Sequence, residues 1–153
     1  LCISYLTIEL VGAIPVELRP LIGNRIYGCD DCQLCCPWNS FAKLGDPDFA
    51  VRNGLDATRL TELFSWTEAD FNSRLAGSPI RRIGHERWLR NIAVALGNSR
   101  ATPAVLAALE SRRNHDSSLV REHVNWALAR LQTTTRVALA PSGEASPPPI
   151  VSS

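Results

Sequence analysis

Four of the chain's five cysteines fall within eight residues, in Cys29-Asp30-Asp31-Cys32-Gln33-Leu34-Cys35-Cys36-Pro37; the fifth is Cys2. An odd count with this crowding makes a poor disulfide framework and points to a metal site in a reducing, cytoplasmic setting. Without Cys35, the run reads C-x2-C-x3-C-P, the second half of the bacterial ferredoxin pattern. Short spacers let the backbone wrap a cluster and aim amide groups at its sulfides, and the proline redirects the chain.

In two-cluster ferredoxins the cysteine before the proline ligates the other cluster. On that pattern Cys36 serves one cluster and Cys29 and Cys32 the second, with Cys2 as a third ligand of the second. Cys35 occupies a spacer position and reads as a small buried hydrophobe. Each cluster still lacks ligands, which predicts an upstream C-x2-C-x2-C-x3-C-P run. The lack of any Met points the same way, to a processed chain or a fragment. A structural zinc site built from four of the thiolates is the alternative.

The 153 residues are 45% apolar and 20% charged, a globular composition. No apolar run approaches the ~20 residues that span a bilayer, and no secretory signal is evident. The net charge of +1 conceals an asymmetry: residues 1–70 carry a net of −5, and residues 71–113 a net of +6. The basic middle is built from Arg; Lys43 is the only lysine.

The expected fold is mostly α: the end of a ferredoxin-like [4Fe–4S] module over 1–41, a linker over 42–54, HEAT-like helical repeats over 55–132 and a disordered tail over 133–153. Pro15 to Ile22 suits a short helix limited by Pro20, and Trp38 and Phe41 suit a cover over the cluster. One helix is expected to start near Asp56, burying Leu60, Leu63 and Phe64. Thr67 with Asp70 reads as a capping-box variant, and Gly77 as a stop. Ser78-Pro79 and Thr102-Pro103 are cap-then-proline starts, with Gly84 as a break and Gly97-Asn98 as a stop. Ser117 or Ser118 caps the last helix. Short helices that bury their faces only by stacking form a concave surface for an extended partner.

Arg81, Arg82, His85, Arg87 and Arg90 fall within ten residues, opposed only by Glu86. Guanidinium forks match phosphate, so an RNA backbone is the expected partner; the alternative is a solvated charged face. Asn91 either holds a loop or contacts RNA, His85 alone suits a structural role, and Trp88 suits burial or stacking on a base.

Six stretches carry a more specific resemblance. They are Cys2-Ile3-Ser4-Tyr5-Leu6-Thr7-Ile8-Glu9; Gly23-Asn24-Arg25-Ile26-Tyr27-Gly28-Cys29-Asp30-Asp31-Cys32-Gln33 with Cys36-Pro37-Trp38-Asn39; and Gly77 to Arg82, Arg90 to Asn98 and Val120 to Leu128. Over residues 1–131 the chain resembles the epoxyqueuosine reductase family. The resemblance implies a monomeric, cobalamin-dependent iron–sulfur oxidoreductase that takes electrons from a donor. Such an enzyme reduces epoxyqueuosine to queuosine in the tRNA anticodon loop, the last step of queuosine biosynthesis. It implies two [4Fe–4S] clusters, with Cys2, Cys29 and Cys32 on one and Cys36 on the other. Ser4 and Asp30 match positions facing the cobalamin. An N-terminal α/β domain would hold the catalytic acid, and the C-terminal helices, with Arg81, Arg82, His85, Arg87, Arg90 and Asn91, the tRNA. Cys35, usually aliphatic in the family, is a departure. Reductive dehalogenases share the cofactor plan, but a small halogenated substrate needs no Arg-rich surface.

Overall fold

The computed structural model describes residues 2–43, 45, 54, 55 and 57–139, with side chains to Thr134. Among the described residues there are helices and no strands. Tyr5–Glu9 forms a π-helix, closed by the Leu10 N–H on the Tyr5 carbonyl at 2.9 Å. Two four-residue helices follow, α1 (Arg19–Ile22) and α2 (Asp31–Leu34), then a 3-10 turn at Pro37–Phe41. The second half comprises α3 (Leu60–Ser65), α4 (Glu68–Arg74), a 3-10 turn at Pro79–Ile83, α5 (Gly84–Gly97), α6 (Pro103–Ser111) and α7 (Ser118–Leu139).

The start signals act through their side chains. Thr67 and Asp70 close a full capping box on α4. Thr102 accepts the Val105 N–H at the head of α6, and Ser117 the Val120 N–H at the head of α7. Ser78 caps a 3-10 turn rather than an α-helix, because Gly84, at φ +75°, resets the backbone before α5 begins.

Three boundaries differ from the sequence reading. Helix α3 starts at Leu60, not near Asp56, which lies outside the described residues. Pro15 to Ile22 is helical only from Arg19, with Pro20 in the first turn, where its missing N–H costs nothing. Helix α5 ends at Gly97-Asn98 as expected, although Gly97 is not left-handed; a Cβ there would lie 2.7 Å from the Trp126 ring and 2.9 Å from the Ala127 backbone. The smallness of Gly97 lets α5 and α7 approach. Helix α7 continues to Leu139, so 133–139 is helical, and the tail expected beyond lies outside the described residues. Most of the expected 42–54 linker also lies outside them.

The main core is formed by Leu63, Phe64, Trp66, Phe71 and Leu75 with Trp88, Leu89, Ile92 and Leu96 of α5, closed by Leu109, Val120, Val124 and Leu131. A smaller cluster, Leu6, Ile14, Ile22 and Val94, lies beneath the first residues of the chain. From Gly28 to Phe41 no residue is buried. Apolar burial therefore holds the second half together and reaches the cysteine-bearing part only at its base.

Candidate metal centre

Cys2 stands just ahead of the π-helix, and Cys29, Cys32, Cys35 and Cys36 lie in and around α2. All five thiols are free; Cys29 and Cys36 are half-buried and the others exposed. Among the described residues no three His, Cys, Asp or Glu side chains converge on one point. The structure instead fixes the backbone on either side of the thiols. Thr7, fully buried, donates from Oγ1 to the Ile3 carbonyl at 2.9 Å and accepts the Gly28 N–H at 3.0 Å. One hydroxyl thus joins the residue after Cys2 to the residue before Cys29. The Tyr5 and Ser4 backbone amides hold the Cys2 thiol below its ordinary pKa, which favours the thiolate that binds metal. Thiolate donors at this spacing suit iron–sulfur ligation, so the residues fit the group expected of them.

Arg25 pairs with Asp31 at 2.6 Å in the first turn of α2, and this guanidinium holds the Asp31 carboxyl below the usual range. An open cleft of about 290 Å³ runs along residues 24–31 and reaches Leu34. Ser4 is half-buried, with Oγ facing the Gly28 turn; Asp30 is exposed at the start of α2 and makes no side-chain cap bond. Cys35 is exposed, against the expectation of a buried spacer: no residue of α2 is buried, and the Cys35 thiol approaches the Cys32 carbonyl at 3.6 Å. Trp38 and Phe41 are 77% and 76% exposed, so they do not cover the cysteines; their rings lie tilted at 48° with centroids 6.0 Å apart.

The basic segment divides in two. Arg81 and Arg82 are exposed, bonded to Asn72 at 3.2 Å and to Glu9 at 2.7 Å. The other four turn inward. His85 Nε2 meets the Trp66 carbonyl at 2.8 Å, and Arg87 reaches the Ile8 carbonyl at 3.0 Å. Arg90 is fully buried and donates to the carbonyls of Leu6, Leu10 and Gly12 at 2.7–2.9 Å. Burial lowers its pKa to about 10, leaving it cationic at neutral pH. Asn91 donates to the carbonyls of Thr7 and Ile26, each at 2.8 Å. Arg90 and Asn91, expected at the RNA, are thus engaged by the backbone of the cysteine segment, and for Asn91 this is the loop-holding alternative. A short helix leaves its last carbonyls without partners, and Arg87 and Arg90 supply them. Trp88 is buried as well, stacked on Trp66 at 5.9 Å.

Three further contacts tie the halves together. Asn98 donates to the carbonyls of Arg19 and Gly23, and Arg19 pairs with Glu122 at 2.5 Å. His123, fully buried, accepts the Ile14 N–H on Nε2 and donates from Nδ1 to the Leu119 carbonyl. Burial lowers its pKa to about 4. Thr7, Arg19 and His123 escaped sequence reasoning because their partners lie 21 to 109 residues away.

Residues 1–39 match the family model for a 4Fe-4S double cluster binding domain. Site and match together define an iron–sulfur protein of the double-cluster class. The chain is 67% identical over 130 residues to the epoxyqueuosine reductase of Xanthomonas campestris pv. campestris, covering 84% of this chain and 37% of that protein. Against the Pseudomonas aeruginosa enzyme it is 63% identical, over 84% of this chain and 36% of that one. The chain belongs to the epoxyqueuosine reductase family and spans a little over a third of the length of these relatives. Its fold superposes on epoxyqueuosine reductase from Bacillus subtilis with a TM-score of 0.71 at 27% identity, over 85% of this chain and 35% of that one. A structure of epoxyqueuosine reductase with an epoxyqueuosine-modified tRNA-Tyr stem loop has the same fold, with a TM-score of 0.61 at 21% identity, over 86% of this chain and 44% of that one.

Proposed function

We propose that this chain is the cluster-bearing and RNA-facing part of an oxidoreductase that reduces epoxyqueuosine to queuosine in tRNA. The observation that carries the reading is the C-x2-C-x3-C-P run, tethered through Thr7 to the Cys2 turn, in a chain 67% identical to a known epoxyqueuosine reductase. Cys2, Cys29 and Cys32 would ligate one [4Fe–4S] cluster and Cys36 the other, and such clusters would supply electron transfer from an external donor. Cobalamin supplies the reductive chemistry at the epoxide. Ser4 and Asp30 are this chain's side chains toward that cofactor, beside the open cleft along residues 24–31. The acid that protonates the opening epoxide belongs to an N-terminal domain outside the stretch spanned here.

The helices from α3 onward are read as a HEAT-like stack that presents Arg81 and Arg82 to the tRNA backbone. His85 and Arg87 support that surface from within, since their nitrogens engage backbone carbonyls. Among the described residues no helix is long and apolar enough to cross a membrane.

The reading is tested on the whole natural polypeptide that carries this sequence, purified without oxygen. Bound iron and sulfide with the paramagnetic signals of two reduced clusters are expected, and a colourless protein with stoichiometric zinc overturns the reading. For the RNA arm, Arg81→Ala with Arg82→Ala should weaken tRNA binding. Each lost phosphate contact should lower the slope of log affinity against log salt by about one. Unchanged affinity and slope remove these two side chains from the interface.

A further inference from the structure

We infer that Thr7 is a positioning residue for one cluster: its buried hydroxyl sets the register between the Cys2 turn and the Cys29–Cys32 loop. This rests on the cluster reading above and names a side chain that the ligand pattern does not include. Three thiolates from two distant stretches must meet on one small inorganic core, so a slip of either stretch along the other separates them. Two side chains bond both stretches. The Thr7 hydroxyl donates to the carbonyl after Cys2 and accepts the amide before Cys29, at 2.9 and 3.0 Å. The Thr7 carbonyl in turn accepts from Asn91, whose second N–H goes to Ile26 on the Cys29 side, each at 2.8 Å. Gly28, at φ +72°, takes the left-handed conformation at the receiving end, which a side chain would oppose. The hydroxyl is fully enclosed, so water cannot replace it, and its loss leaves the Gly28 amide without a partner.

The test compares Thr7→Val, which keeps the shape and removes the hydroxyl, with Thr7→Ser, which keeps the hydroxyl. Thr102→Ala, which removes the α6 cap far along the chain, controls for general destabilisation. Each is made in the whole natural polypeptide and purified anaerobically. Iron and sulfide content, the paramagnetic signals of the reduced clusters and far-ultraviolet circular dichroism are then recorded. Thr7→Val should lose roughly half the bound iron, as expected when one of two equal clusters is lost, and one of the two signals, with its helix content kept. Thr7→Ser and Thr102→Ala should match the parent. Should Thr7→Val fail to fold, Thr7→Ala removes the same hydroxyl and is read in the same way. The inference is overturned if the hydroxyl-free variants keep both clusters, if Thr7→Ser loses as much iron as Thr7→Val, or if Thr102→Ala loses as much. A parent protein with no iron–sulfur signal defeats the cluster reading itself, and the inference with it.

Discussion

The cysteine-bearing residues 2–43 and the helical residues 57–139 are held in shape by different physics. The helical part is an apolar core around α5, whose residues from Trp88 to Gly97 are all buried. The cysteine part has a π-helix and two four-residue helices, and nothing buried between Gly28 and Phe41. It is fastened by side chains of α5 and α7 that bond its backbone: Arg87, Arg90, Asn91 and His123, with Asn98 just past the end of α5. With nothing buried from Gly28 to Phe41, the cysteine part depends on the polar partners its neighbour supplies. The Arg-rich stretch that resembles a surface for RNA is, in its inner half, that supply.

The comparison breaks most visibly at Arg90. Arg90→Met leaves three carbonyls of the cysteine segment without their donor and should cost about 3–5 kcal/mol, read from urea unfolding. Hydrogen exchange should quicken at residues 5–12 before the α7 core. If Arg90→Met instead unfolds like the parent and weakens only tRNA binding, Arg90 faces RNA and the division of the basic segment is wrong.

Acid should loosen the same seam. His123 titrates near 6.5 when unfolded and at about 4 when folded, so between those values the unfolded chain binds more protons. Its contribution is complete above about pH 6.5 and falls as the pH is lowered toward 4, by up to about 3 kcal/mol. The cause is geometric: neutral imidazole accepts the Ile14 N–H on Nε2, and a protonated ring cannot. His123→Gln should flatten this part of the stability profile, measured as urea midpoints at pH 7 and 4.5; an unchanged profile would place the acid sensitivity elsewhere.

The helical side is sharpened by Gly97→Ala. The added methyl meets Trp126 and the Ala127 backbone at under 3 Å, so α5 and α7 must separate, at about 1–3 kcal/mol. The loss should appear in thermal unfolding while iron content stays as in the parent. Iron loss equal to that of Thr7→Val would mean that the two regions do not differ in what holds them.

Much of this was legible in the residues. The C-x2-C-x3-C-P run announced the metal chemistry, because ligand spacing is a covalent property of the chain. Thr67, Thr102 and Ser117 marked helix starts, because a cap acts on amides two or three residues away. The stop at Gly97-Asn98 fell where the helix ends, but that the missing side chain also serves a close crossing is shown only by the Trp126 contact. Arg90 was harder to read for a related reason: a charge cluster looks the same in sequence whether it faces phosphate or carbonyl oxygens.

By itself, then, the sequence determined the cysteine spacing, the helical character of the second half and the family. These depend on residue type and short spacing. The tertiary structure decided which polar side chains face outward, and that Thr7 and Asn91 join the Cys2 turn to the Cys29 loop. Those outcomes depend on contacts between residues 21 to 84 positions apart, where no local rule of spacing reaches.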